Sequence, residues 1–220
     1  RKTPAPFYSS VDLRNAGFKL APVDTNLFPA GFNNLNDRFI SLAVQAAQET
    51  LERLLPGCLR ILLIPENHTR NSFYFENLST LQDILEKAGF EVRIGSLLEE
   101  MPHAKEIVLA SGARITLEPI VRVADQIKVK DFLPCCILLN NDLANGIPEI
   151  LQGIEQTILP NMNLGWHSRL KSNHFRHYAQ VAGEFAQLLG LDPWLITPLF
   201  SRCAEVDFMQ REGEACMMQE

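Results

Sequence analysis

No apolar run in the 220 residues approaches the ~20 needed to cross a bilayer as a helix. Positive charge is also scarce: a net charge of −6 argues against a nucleic-acid groove or a basic membrane-surface patch. There is no G-x-G-x-x-G loop, no Walker lysine motif, no H-E-x-x-H helix and no internal repeat. The commonest nucleotide and zinc signatures are therefore excluded. Arg1-Lys2-Thr3-Pro4 opens no signal peptide, because no apolar core follows the basic residues. Arg1 in place of an initiating Met points to a trimmed chain.

The five cysteines (58, 135, 136, 203 and 216) show neither C-x-x-C nor zinc-ligand spacing. Their number is odd, and Cys135 and Cys136 are ill placed to bridge each other. Reduced, mostly buried thiols and a cytoplasmic setting are the expectation. His174 and His177 with His167 lack a carboxylate to complete a zinc site.

What is present is ordinary for a soluble globular protein: 46% hydrophobic and 21% charged residues, in a length that fits one α/β domain or two small ones. The pattern turns on Ile61-Leu62-Leu63-Ile64. Four consecutive aliphatic residues read as a strand buried on both faces, as in a parallel sheet, and Pro65 stops it. Glu66, Asn67, His68, Thr69, Arg70 and Asn71 follow at once. Ligands of open α/β sheets bind outside the carboxyl ends of the strands, so polar groups belong there. A plain helix-capping turn, with Asn71 or Ser72 as cap, is the alternative.

Cys135–Leu139 repeats the design, with Asn140-Asn141-Asp142 at its end. Two parallel strands finish on the same rim, which brings the two polar stretches to one side. Elsewhere, Phe7–Leu13 and Gly17–Val23 read as strands, and a long ordered loop carries Asp24, Asn26, Asn33 and Asn34. A helix is expected from Asn36 to Leu55, another from Glu76 to Lys87, and a strand at Phe90–Ile94. Short runs from 105 to 130 read as antiparallel hairpins inserted into, or extending, the main sheet. Ile147–Leu159 reads as helical, with Pro148 in its first turn. A last long helix is capped by Ser172 or Asn173 and ends at Gly190. Arg169 and Lys171 beside its N-terminus suit an anionic ligand. Val206–Phe208 reads as a short strand.

Several blocks are unusual enough to carry a resemblance. They are Val11–Pro29, Ile64–Asn71, Leu139–Leu143, Lys171–Phe175, Asp192–Ile196 and Gln210–Glu214. Together they resemble a proteobacterial family of glutamate–cysteine ligases, similar in turn to ATP-grasp ligases, and the likeness runs over nearly the whole chain. The resemblance implies an α/β, mostly parallel sheet flanked by helices: a pre-ATP-grasp-like substrate domain over 1–200, with 201–220 opening a connection to an ATP-binding half. It implies ATP-dependent joining of L-glutamate to L-cysteine, with ATP and Mg2+ held mainly by that other half.

Amide formation through an acyl phosphate needs grips for carboxylate, ammonium and phosphate. Arg14, Lys19, Arg70, Arg169 and Lys171 are candidates for the anions. Asp12, Asp24, Glu66 and Asp142 are candidates for ammonium groups. Asn26, Asn67, Asn140, Asn141 and Asn173 would orient the substrate, and His68 is the one candidate base. No metal ligand, nucleic acid or membrane partner is expected, and a homo-oligomer stays open. Two rival readings remain: a non-catalytic module that binds a small anion or docks an ATP-using subunit, and half of a sugar-nucleotide transferase.

Overall fold

The computed structural model describes residues 5–66, 72–98, 101–169 and 171–200. The chain groups into two compact units, Arg1–Ser10 with Thr25–Ser168, and Val11–Asp24 with the described residues from Arg169 on.

The first unit is built on strand β3 (Arg60–Pro65). Ile61, Leu62, Leu63 and Ile64 are all fully buried, as the unbroken aliphatic run requires. Their alternation feeds two cores. Ile61 and Leu63 pack with Ala47 and Leu51 of helix α1 (Ile40–Leu54) and with Leu78, Leu81 and Leu85 of α2 (Ser72–Lys87). Leu62 and Ile64 pack on the opposite face with Phe28, Ile127, Phe132, Leu143 and Leu151. Helices therefore cover one face, and loops and short elements cover the other.

Beside β3 lie β4 (Glu91–Ser96) and β8 (Cys136–Asn140), both parallel to it. The order across the sheet is β5-β6-β4-β3-β8-β9, where β5 is Lys105–Val108, β6 is Arg114–Val123 and β9 is Thr157–Leu159. The segment from 105 to 130 forms the expected antiparallel hairpins at the sheet edge, two of them sharing the long strand β6. The first half of β6 pairs antiparallel with β5, and its second half pairs with β7 (Gln126–Val129). Pro119 falls between these two antiparallel ladders, at the end of β6's parallel pairing with β4, opposite Ser96.

Two expectations are corrected. Ile147–Leu159 is not a helix: a 3-10 turn at Glu149–Leu151 is followed by β9, parallel to β8. Gly153 takes φ 66, off the helical path, and the Gln156 side chain bonds the backbone N–H and C=O of Ile127 and the C=O of Pro134. Those contacts hold the chain extended. The thiols also differ from expectation, because Cys58 and Cys135 form a disulfide. Each precedes a strand, and Ile61 pairs with Cys136, so adjacency in the sheet brings two residues 77 apart in sequence to a Cα separation of 5.7 Å. Cys136 stays unbridged, and burial pushes its thiol up to about 12. Cys203 and Cys216 lie outside the described residues, as does the strand expected at 206–208.

β1 (Ser10–Asn15) and β2 (Leu20–Asn26), which belong to the second unit except for Ser10, Thr25 and Asn26, form a separate two-stranded sheet. The unit also contains α3 (Lys171–Leu189) and a 3-10 turn, Pro193–Leu195. Asp192 caps that turn through Trp194 N–H. Among the described residues no helix is long and apolar enough to cross a membrane.

Candidate functional site

The carboxyl ends of β3 and β8 meet in register, Pro65 opposite Asn140. From there a hydrogen-bonded lattice runs in two directions. Asn140, 2% exposed, donates from Nδ2 to Pro29 O (2.7 Å) and accepts at Oδ1 from Asn77 Nδ2 (3.1 Å). Asn77, 1% exposed in α2, accepts at Oδ1 from the N–H groups of Gly31 (2.7 Å) and Phe32 (3.0 Å). Two buried amides thus clamp the loop 29–32 onto the sheet. Gly31 sits at φ 123, a region few side-chain-bearing residues adopt. Beside the clamp, Tyr74 Oη donates to Asn140 O and accepts from Glu66 N–H, and Tyr8 Oη donates to Leu139 O. Burial raises both phenols well above their ordinary titration range.

In the other direction, Glu66 Oε1 accepts from Asp142 N–H (2.5 Å). Asn141 donates from Nδ2 to Pro65 O and accepts from Leu143 N–H, while Asp142 Oδ1 accepts from Ala144 N–H. Gly165 closes tightly over this turn: a Cβ there would lie 2.8 Å from Leu143 Cβ and 3.0 Å from Asp142 O.

The clamped loop leaves a cavity of about 410 Å³, lined by Gly31, Asn33, Asn34, Phe73, Tyr74 and Asn77. A smaller one of about 90 Å³ opens between Glu66, Asp142 and Pro148. Pro65 and Glu66 also border a third, of about 540 Å³, with Phe75, Ser96 and Met101. Glu66 therefore reaches two cavities, and Asn140 reaches none of the three.

The sequence candidates divide between the units. Asn26, Glu66, Asn140, Asn141 and Asp142 belong to the first, where Asn26 turns its Oδ1 to Phe28 N–H. Asn67, His68 and Arg70 lie outside the described residues. Asp12, Arg14, Lys19, Asp24, Arg169, Lys171 and Asn173 belong to the second. Asp12 and Arg14 are exposed on β1, and Asn173 is half-buried in α3. Lys19 Nζ lies 4.3 Å above the Trp194 ring, on which Phe18 also stacks.

Lys171 does not precede the last helix as expected but is its first residue, and its Nζ bonds Asp24 Oδ2 at 3.1 Å. Lys171→Met should therefore cost up to ~1 kcal/mol, the range of an exposed pair, and the cost should shrink in 1 M salt. Thermal melts at two ionic strengths check this; a stabilised variant contradicts it.

Arg169 Nη2 lies 3.1 Å from His174 Nδ1. Burial, then Arg169 and His177, lower the imidazole below its ordinary value, while Asp24 opposes them. The folded chain thus resists a proton that the unfolded chain accepts near pH ~6.5. His174 should add stability above that pH and lose it as the pH falls through it. His174→Gln is expected to flatten the decline in melting temperature between pH 7.5 and 5.5. Parallel declines in both proteins would refute the assignment.

Three features escaped sequence reasoning: Tyr8, Tyr74 and Asn77. Only Asn77 left a trace, an amide at helical spacing among Tyr74, Leu78 and Leu81, on the buried face of α2.

The fold and its strand-end rim define an α/β domain of the kind that binds ligands at the carboxyl edge of a parallel sheet. The chain belongs to the glutamate-cysteine ligase family, whose model matches residues 1–220. It is similar to a crystal structure from Methylobacillus flagellatus KT, provisionally described as a gamma-glutamylcysteine synthetase. Identity is 53% and the TM-score 0.89, over 98% of this chain and 51% of that one. The chain thus spans about half the length of this relative. No curated protein matched.

Proposed function

We propose that this chain is the substrate-side part of an ATP-dependent glutamate–cysteine ligase that makes γ-glutamylcysteine, the first step of glutathione formation. The observation that carries the reading is the family match over all 220 residues, supported by the 53% identical neighbour. In the reaction, a γ-carboxylate oxygen of glutamate attacks the terminal phosphorus of ATP and ADP leaves. The cysteine amine then attacks the acyl carbon, losing a proton as phosphate departs.

Such chemistry depends on holding the reactants in line and on charge facing the phosphoryl group. Glu66 and Asp142, at the rim and beside the cavities, are proposed to take an ammonium group. Asn33 and Asn34 line the cavity at the clamped loop, whose position Asn140 sets from inside with Asn77, while Asn141 holds the turn that carries Asp142. Arg14, Lys19, Arg169 and Lys171 are proposed to meet carboxylate or phosphate, with Asn173 orienting it and Asp12 and Asp24 balancing the charge. Asn67, His68 and Arg70 complete the strand-end set, His68 as the candidate base. Among the described residues no three of His, Cys, Asp and Glu converge. ATP and Mg2+ are assigned to the counterpart of the relative's other half. The setting proposed is the cytoplasm, where thiol buffers would reduce Cys58–Cys135 through the exposed Cys135.

The test is ADP release coupled to γ-glutamylcysteine formation. The 220 residues alone are expected to bind amino acid by calorimetry without ligating it, and supplying the counterpart half should start turnover. Ligation by this chain alone would sink the substrate-side assignment. No ligation by the longer protein would sink the function.

A further inference from the structure

The cavity of about 540 Å³ beside Glu66 lies wholly within the first unit. Strand register fixes which side chains face it. Leu63 pairs with Ile94 and Ile94 with Leu117, and all three pack into the core on the α2 side of the sheet. Residues two apart in a strand share a face, so Ser96 points to that side as well. Lys105 stands directly opposite Leu117 in the antiparallel pair, which puts its side chain there too. Glu106 faces the other way, where its Oε1 accepts from Arg114 Nη1 at 2.5 Å. Lys105 is therefore the cation on the cavity side of β5, and it forms no ion pair among the described residues.

Three polar groups border this space. Glu66 brings a carboxylate just beyond the end of β3, and Lys105 an ammonium group from β5. Ser96, 5% exposed at the end of β4, accepts at Oγ from Leu98 N–H (3.2 Å), while its own proton meets no acceptor among the described residues. Phe75, Met101 and Leu117 form an apolar wall. A volume in the range of small-molecule sites, apolar walls and a few polar groups of both signs suit a small zwitterion.

We propose that this cavity binds a free α-amino acid with one carboxylate and a short uncharged side chain, which in the ligase reading is the acceptor, cysteine. Lys105 and Ser96 take the carboxylate and Glu66 the ammonium group. The side chain lies against Phe75 and Met101, a soft, polarizable surface that suits a thiol. Glutamate is disfavoured, because its second carboxylate needs a second cation and Lys105 is the one that borders the space among the described residues. The inference rests on the ligase reading only for the name of the amino acid.

Calorimetry without ATP is run on the native gene product with three compounds: L-cysteine under reducing conditions, L-2-aminobutyrate, which has a methyl in place of the thiol, and L-glutamate. Cysteine and aminobutyrate should bind. Lys105→Met should weaken both by about 10-fold, the loss of one hydrogen bond to a charged group. Lys105→Arg should recover most of that affinity, and Glu106→Gln, on the other face of the same strand, should change nothing. The melting temperature of Lys105→Met should hold, because the side chain is exposed and makes no ion pair. Cysteine binding that is absent, or indifferent to Lys105→Met, overturns the proposal. So does glutamate binding that Lys105→Met weakens equally, which would make the cavity the donor's. Lys105-dependent binding in a protein that does not ligate keeps the site and removes the ligase reading. Ligation with a cysteine KM that Lys105→Met leaves unchanged removes the site and keeps the ligase reading.

Discussion

Asn140→Leu is expected to lower stability by about 2–5 kcal/mol, the cost of leaving two buried polar groups without partners. The variant keeps the branched four-heavy-atom shape of the side chain, though it is larger, and orphans Pro29 O and Asn77 Nδ2, both deep in the clamp. For a chain of this size that corresponds to a fall in melting temperature of roughly 10 °C. Asn77→Leu should cost a similar amount, since it strands the N–H groups of Gly31 and Phe32. The double variant distinguishes a lattice from two separate residues. Because Asn77 and Asn140 share a hydrogen bond, their combined loss should fall short of the sum by at least ~0.5 kcal/mol. Strict additivity would mean that the two amides act independently.

If the proposed function holds, Arg70→Ala should lower ligase turnover by about 100-fold, as expected where a charge-assisted contact supplies about 3 kcal/mol to the transition state. Arg70 follows the end of β3 by five residues and is the one cation between Pro65 and Ser72. A polar residue after a strand end buries no core, so the melting temperature should hardly move. Arg70→Lys keeps the charge but loses the two-pronged geometry, and should recover only part of the rate. Normal turnover per folded molecule, combined with a large loss of stability, would make Arg70 part of the scaffold.

The parts of the fold that were legible share one property: local pattern and final environment agree. Ile61–Ile64 carries a two-sided burial signal that only a central strand satisfies, and the apolar spacing of α1 and α2 matches the face each buries. Ile147–Leu159 misled because Pro148 opens a helix and a strand approach equally well. What decided it was Gln156 bonding across to Ile127 and Pro134, contacts of 22 and 29 residues' separation that no window contains. The disulfide was illegible for the same reason, since spacing along the chain carries no record of strand order.

At the rim, the sequence marked the right segments but could not rank the residues within them. An asparagine aimed at a ligand and one aimed at a buried carbonyl look alike in a sequence. Asn140 is wholly committed to the interior, whereas Glu66, beside it in space, borders two cavities. Tyr74 and Tyr8 went unnoticed because a phenol in an apolar pattern reads as one more aromatic core residue.

The loop over the 410 Å³ cavity is tied to positions 77 and 140, more than 45 residues downstream in one case and more than 100 in the other. The cavity wall therefore exists only once α2 and β8 are both in place, and occupancy is coupled to the folding of the unit. A compound bound there at 100 times its dissociation constant would raise the unfolding free energy by about 2.7 kcal/mol. Screening amino acids and their acyl-phosphate mimics by melting shift, with Asn140→Leu as the blank, thus becomes a direct way to learn what this pocket accepts.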